Sequence, residues 1–547
     1  MATVSKITST GLASDRLIRM RHLSVVMSAV ASVSADLAEL VRPSSSKSAW
    51  WPTFAIAMLA FCFFAWLAPA AMPSGDAALY AQQARHLDLA ERTVHIGYYV
   101  LAAALTLFQS QTPDLVFNLL SALFGAATVG LIGYATARTT GRADLGVLAG
   151  LSLCGSSTFL RQAVWAEVYV GQAFFFVLAL WLVLATRPVL AGVSLAGSVL
   201  FSPSTLLGVP GLMMARPRWR SIILLGLAGG GIVLSVLAFV WQDYFFGPRG
   251  LFGAAPTAGG PKAAVIKEGF EVLYGVTSLL PFLAAGAWAL LQDRLGRYGL
   301  AILAAMWAPT FLFGERYPDV PVQLPTWILL TPVLIAGVVW LEKQLDGASP
   351  LRRGLLLAVA TAGALLPWFA VPVVASRSQA FAKLGTELVA GLITLCVLAA
   401  ALAFWLARER ARTALQILFA AWALCGAVLG AKLVEDQNRL YLDYRANVLA
   451  LGEQAAPDYL AIGSWEQGIL LEHYLYGRPY SGHTLEINAL RSQDGEAEQL
   501  FAQALERGQE IWLLRADERI EERLEGAGRS LRSAAGFWVA AAVPASM

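Results

Sequence analysis

About a dozen apolar runs, most close to the 20 residues a helix needs to cross a hydrocarbon core, follow one another along this chain with almost no charge inside them. That pattern leaves few folds open. In lipid every backbone N–H and C=O must be paired within the chain, and a run of this kind achieves that as a helix. With 57% hydrophobic and 14% charged residues over 547 positions, the chain reads as a mainly α, polytopic membrane helical bundle. The first run, Trp51 to Ala71, follows Lys6, Arg16, Arg19, Arg21, Arg42 and Lys47 but no earlier apolar stretch. It therefore reads as a retained signal anchor, with residues 1–49 a basic cytoplasmic segment.

Further runs occupy 115–137, 143–160, 168–186, 189–200, 204–214, 221–241, 272–291, 299–314, 326–341, 354–375, 386–407 and 413–434. Two stretches are ambiguous. Residues 97–109 fit either a short span or a helix lying on the surface, and Ser202-Pro203 divides 189–214 into two short helices. Loop charge arbitrates, because short cytoplasmic loops collect Lys and Arg. With 97–109 at the interface and 189–214 as two spans there are about thirteen crossings. Arg138 with Arg142, Arg187, Arg216 with Arg218 and Arg220, Arg294 with Arg297, Lys343 with Arg352 and Arg353, and Arg408 with Arg410 and Arg412 then all fall inside. Counting 97–109 as a span would move every later cluster outside.

The outer face then receives 73–112, Arg161 to Glu167, 242–271, Glu315 to Pro325, 376–385 and everything after about 435. From Asp458 the apolar runs shorten and alternate with charged stretches. Tyr459–Gly463, Thr484–Ile487, Ile511–Arg515 and Trp538–Val543 read as strands; Glu466–Tyr476, Glu496–Arg507 and Asp517–Leu524 read as helices. Three domains result: the segment 1–49, a transmembrane domain over 50–434 with its outer loop 73–112, and an extracytoplasmic (periplasmic) α/β domain over 435–547.

Several function classes drop out. A net charge of +3 with arginines dispersed among loops makes no nucleic-acid surface. Cys62, Cys154, Cys396 and Cys425 lie in apolar runs without CxxC spacing and read as small buried packing residues. An ion-coupled transporter needs ionisable groups or broken helices near the midplane, and the sequence offers little of either. Ionisable groups gather instead at the outer face. Asp76 opens a helix-forming stretch, where it serves as an N-cap or as a general base, with Tyr80 one turn later on the same face. His95 and Tyr98 begin the interfacial stretch, and Arg161, Glu167 and Tyr169 lie at the next outer loop, bringing a second acid to the face that holds Asp76. His473 and His483, in the C-terminal domain, read as hydrogen-bonded surface residues.

This succession resembles the GT-C membrane glycosyltransferases, especially the branch related to protein O-mannosyltransferases. In these an acid after the first span is followed by a His-Pro-Pro-Gly-Tyr-like element, an Asn-Leu-Leu-Ser-Ala-Leu-Phe-Gly helix and a Glu-Val-Tyr element. Here Asp76, His95 with Tyr98, Asn118 to Gly125 and Glu167-Val168-Tyr169 stand in those places. Further on, Arg316-Tyr317 with Leu324-Pro325 is similar to the Arg-Tyr-x-Leu-Pro element of related transferases, and Asp443-Tyr444-Arg445-Ala446-Asn447 to the stretch before the family's C-terminal domain. The chain departs from the pattern in having Ile96-Gly97 after the histidine and a single acid at Asp76.

The resemblance implies a multi-pass protein of the bacterial inner (plasma) membrane with its active site and C-terminus in the periplasm. Its partners would be a polyprenyl-phosphate-linked sugar donor, membrane lipid, and an acceptor protein, glycolipid or polysaccharide. It implies Asp76 and Glu167 as catalytic acids, and Tyr80, His95, Tyr98, Arg161, Tyr169, Arg316 and Tyr317 as substrate-binding residues. Arginine matches phosphate in charge and geometry, so Arg316, or Arg161 or Lys383, can neutralise the leaving phosphate. No cofactor is required, and the single acid argues against a metal bridged by adjacent carboxylates. The competing readings are a lipid-linked glycan transporter or flippase, and a scaffold in which Asp76 only caps a helix.

Overall fold

The computed structural model describes residues 47–73, 75–86, 95–106, 114–209, 223–235, 275–292, 324–375, 385–407, 410–456, 458–475 and 483–542, with isolated positions between. The membrane part contains α1 (Lys47–Leu67), α2 (Gly75–His86), α3 (Ile96–Thr106), α4 (Asp114–Thr140), α5 (Ala143–Cys154), α6 (Ser157–Val164), α7 (Val168–Leu184) and α8 (Pro188–Phe201). It continues with α9 (Ile223–Ser235), α10 (Leu280–Gln292), α11 (Leu324–Leu345), α12 (Pro350–Ala375), α13 (Thr386–Leu406) and α14 (Ala411–Gln454). Among the described residues four helices are long and apolar enough to cross a membrane, or five if α5 and α6 together form one span. The thirteen-crossing scheme thus remains a proposal resting on loop charge.

α3 has 11 residues, a length of about 16 Å against the roughly 30 Å of a hydrocarbon core; residues 107–109, the end of the ambiguous stretch, lie outside the described residues. After α8 the chain continues from Pro203 as a 3-10 helix to Gly208, where the sequence reading began a second short span at 204. One feature has no counterpart in the sequence reading, which saw no broken helix: α5 and α6 are bent by 74° across Gly155-Ser156. Ser156 caps α6 by accepting from the Phe159 amide. Gly155 sits so close to α14 that a Cβ there would lie 2.6 Å from the Ala423 carbonyl oxygen. Large apolar side chains such as Leu59, Trp66, Leu355, Phe369, Leu398 and Trp405 stand exposed along α1, α12 and α13, as expected of helices that face lipid. Cys62 is exposed among them, contrary to its reading as buried; Cys154, Cys396 and Cys425 are buried.

At one end of the bundle, three loops that the charge count places on one face are joined. Arg142 grips Glu342 through both terminal nitrogens (2.5 and 2.8 Å) and Asp144 at 2.6 Å, and Asp144 also accepts from Arg412 at 2.7 Å. α14 begins in this network and continues for 44 residues, about 66 Å. The compositional boundary at 434/435 therefore falls inside one unbroken helix.

Beyond α14 come β1 (Leu460–Gly463), α15 (Trp465–Leu475), β2 (His483–Glu486), α16 (Ile487–Arg491), α17 (Gly495–Glu506), β3 (Ile511–Leu513), α18 (Glu518–Gly526), β4 (Arg529–Ala534) and β5 (Phe537–Ala542). The sheet order is β2-β1-β3-β5-β4, with β1 parallel to β2 and β3, and β5 antiparallel to β3 and β4. Alternation along the strands builds two apolar layers. Leu460, Ile462 and Leu513 pack with Phe501 and Ala504 of α17. Ala461, Trp512 and Leu514 pack with Leu471 and Leu475 of α15 and with Val448 and Leu451 of α14. The chain from Pro52 onward forms one compact unit.

Candidate active site

The loop between α1 and α2 carries almost no side-chain information of its own: Ala68-Pro69-Ala70-Ala71-Met72. Its backbone is held by side chains from elsewhere. Asn118 of α4, fully buried, donates to the Pro69 carbonyl at 2.7 Å and the Ala71 carbonyl at 3.1 Å. Asn438 of α14 donates to the Leu67 carbonyl at 2.8 Å and accepts from Trp165 Nε1 at 2.9 Å. Arg445 donates to the Ala70 carbonyl at 2.7 Å, and the Met72 amide donates to the Tyr474 hydroxyl at 2.8 Å. Buried backbone groups need such partners, and here three separate elements supply them. The peptide leading to Asp76 is fixed before any substrate arrives.

Asp76 is the second residue of α2, which begins at Gly75. One turn on, Tyr80 lies in a group of rings. Its centroid is 5.5 Å from His95 and from Tyr98, and His95 is 6.2 Å from Tyr169. Tyr80 and Tyr98 are buried, whereas His95 and Tyr169 are half-buried. His95 Nδ1 donates to the Phe201 carbonyl at 2.6 Å, which fixes the ring against the end of α8. Burial, then the Glu167 charge, pushes the Tyr98 phenol above its ordinary value, so it remains a neutral hydroxyl.

Glu167 stands at the N-cap position of α7, and its amide donates to Ser121 Oγ at 3.3 Å. Arg161, half-buried on α6, has its guanidinium 5.9 Å from the centroid of the Trp165 ring. The Asn118–Gly125 stretch thereby acquires a physical account. Asn118 holds the α1–α2 loop, Ser121 one turn later holds Glu167, and a Cβ on Gly125 would lie 2.6 Å from Ala163 Cβ, so only glycine lets α4 meet α6.

Tyr80 of the helix that carries Asp76 thus shares one group of rings with His95, Tyr98 and Tyr169, and Glu167 acts on Tyr98; Arg161 lies instead against Trp165. Arg316, Tyr317 and Lys383 lie outside the described residues, and among the described residues no three His, Cys, Asp or Glu side chains gather as metal ligands would. Sequence reasoning missed the contribution of α15. Leu470 packs with Ala77, Ala78 and Ala81 of α2, and Gln82 donates to the Ile469 carbonyl at 3.4 Å. His473, read as a surface residue, is instead buried, its Nε2 donating to the equally buried Asp114 at 2.8 Å. The correction follows from the docking of α15, which covers both groups at the start of α4. Arg445 was visible within the Asp443–Asn447 motif; nothing local to Asn438 or Tyr474 points to their role.

This arrangement of helices has a counterpart among solved membrane-protein structures. The structure is similar to that of ArnT from Cupriavidus metallidurans bound to undecaprenyl phosphate. The TM-score is 0.62 at 13% identity, over 92% of this chain and 99% of that one. The apo state of the same ArnT gives 0.59 at 14% identity, over 89% and 97%. At this identity the likeness is one of fold. No family model matches the chain, and no curated protein matches it.

Proposed function

We propose that this chain is an inverting glycosyltransferase that moves a single sugar, a hexose or pentose, from a polyprenyl-phosphate donor to an acceptor hydroxyl on the periplasmic face of the inner membrane. The acceptor class is a protein, a glycolipid or a polysaccharide. The observation that carries the reading is the likeness, along nearly the whole chain, to the structure of ArnT bound to undecaprenyl phosphate. The rigid first loop and the ring-lined surroundings of α2 are consistent with it.

The donor already has a competent leaving group, so the protein has three tasks. The Asp76 carboxylate takes the acceptor hydroxyl proton. The acceptor oxygen then attacks the anomeric carbon from the face opposite the phosphate, and the bond from that carbon to the phosphate oxygen breaks. Polyprenyl phosphate departs with the bonding electrons, which inverts the centre. Arginine, Arg316 first and Arg161 or Lys383 next, neutralises the departing phosphate without a metal. Glu167 assists as a second acid, and Tyr80, His95, Tyr98, Tyr169 and Tyr317 bind the substrates.

The test is in two parts. The purified protein should bind undecaprenyl phosphate, and Asp76→Asn should keep that binding while transfer falls by about 10²-fold or more, the scale of a lost general base. Absence of lipid binding refutes the donor class, and normal turnover in the variant reduces Asp76 to a helix-end acid.

A further inference from the structure

Tyr441 of α14 is one of the places where the C-terminal unit and the membrane part meet. Its hydroxyl donates to Glu466 Oε1 at 3.2 Å, and its ring stands edge-on to Trp165, with centroids 6.0 Å apart. The guanidinium of Arg161 lies 5.9 Å from the centroid of that same indole. Glu466, Glu167 and Arg161 are the charged groups that act on the Tyr441 phenol. All four are half-buried, neither sealed in the core nor fully in solvent.

A second observation, independent of these contacts, comes from the sheet. The order β2-β1-β3 means that the chain leaves β1 for one neighbour and returns to the other side of it, with α15 on one face and α17 on the opposite face. In open α/β sheets, ligands bind outside the carboxyl ends of the strands where the order reverses in this way. β1 ends at Gly463, and Glu466 lies in the first turn of the helix that follows. The ligand-binding edge of the α/β sheet and the Tyr441 contact are thus the same place.

We infer that Glu466 is a specificity-determining residue of the acceptor, receiving hydrogen bonds from the hydroxyls of a sugar; this rests on the glycosyltransferase reading above. The groups around Tyr441 carry both signs of charge, which disfavours a strongly cationic or anionic ligand. A neutral polyhydroxylated one suits them: its O–H groups donate to the carboxylates, and its oxygens accept from Arg161. A protein serine or threonine offers a single hydroxyl and does not use such a set. The acceptor is therefore a glycan, received at the start of α15.

Glu466→Gln keeps the length of the side chain and the oxygen that accepts from Tyr441, so it removes charge and leaves the contact. The measurement is transfer from a panel of undecaprenyl-phosphate hexoses and pentoses to glycans and glycolipids extracted from the source cells, with undecaprenyl phosphate affinity and melting temperature measured in parallel. The expected result is an apparent KM for the acceptor pool raised about tenfold or more, the weight of one charge-assisted hydrogen bond. Lipid affinity should stay within about twofold, melting should be unchanged, and Glu466→Asp should fall between the two. An unchanged KM overturns the inference, as does a fall in melting temperature that accounts for the lost activity. Transfer to protein but not to the glycan pool overturns the sugar acceptor. Failure of the parent protein to bind undecaprenyl phosphate refutes the transferase reading itself, a different outcome from any of these.

Discussion

Replacing Asn118 with alanine should loosen the α1–α2 loop without unfolding the bundle. The side chain is fully buried and supplies two hydrogen bonds, to the Pro69 and Ala71 carbonyls. Each bond contributes about 0.5–1.5 kcal/mol net, and each buried carbonyl left unpaired costs about 1–3 kcal/mol. Part of this is offset, because Asn118 Oδ1 is itself buried without a partner and disappears with the side chain. A local destabilisation of about 2–4 kcal/mol remains, which raises the open population of the loop by about 30- to 1,000-fold. Hydrogen–deuterium exchange reads this directly, with no substrate needed. The Ala70, Ala71 and Met72 amides should exchange faster by that factor, while amides in the middle of α4 keep their protection. Unchanged exchange at these three amides would refute the claim that Asn118 fixes the loop. Uniformly faster exchange throughout α4 would show that the residue supports the helix rather than the loop.

Single cysteines at Ser74 and Arg218, introduced in a background without the four native cysteines, should differ in intact cells: an impermeant thiol reagent labels the first and spares the second. Labelling at position 218 would overturn the charge-based topology. Arg316→Lys should weaken donor use by up to roughly 1.5–3 kcal/mol, the scale of a charge-assisted bond, with Arg316→Ala worse. An alanine variant with normal donor dependence would remove Arg316 from the site. In the C-terminal sheet, burial alone would raise the Asp517 carboxyl, but Arg491 and the Ile520 amide outweigh it and hold it below its ordinary value. The resulting stability is present in full at neutral pH, begins to fall as pH nears the unfolded value of about 3.9, and is lost as pH drops through the folded value. Melting of the protein between pH 6 and 3 should therefore depend less on pH in Asp517→Asn than in the parent; equal slopes would count against the Arg491 pairing.

The fold was largely legible because its strongest signals are local. Apolar runs gave the helices, and short apolar stretches bounded by charge gave β1, β2, β3 and β5 nearly to the residue. β4 escaped because Arg529-Ser530-Leu531-Arg532-Ser533-Ala534 is an edge strand paired only with β5, and polar edges carry little apolar alternation. The hairpin turn Ala535-Gly536, both with positive φ, was its one clue. Of the charged loops, the structure ties three together through Arg142, Asp144, Glu342 and Arg412. The site was legible only in part. His95, Tyr98, Glu167 and Asn118 lie within about a hundred residues of Asp76 and could be read as motifs. Asn438, Arg445 and Tyr474 reach the first loop across separations of 371, 375 and 402 residues, and no local pattern encodes such a contact.

Those separations also fix when the loop can form. A chain made from its N-terminus inserts α1 early, yet the hydroxyl that receives the Met72 amide is not synthesised until Tyr474. Asn118 is made early, Asn438 and Arg445 later, and until Tyr474 is made the loop before Asp76 lacks this last contact. Premature termination before Tyr474 should therefore leave an inserted bundle whose first loop lacks that latch. Such a product would be retained in the membrane and still be inactive, so loss of activity in a truncated chain would say nothing against its having reached the bilayer.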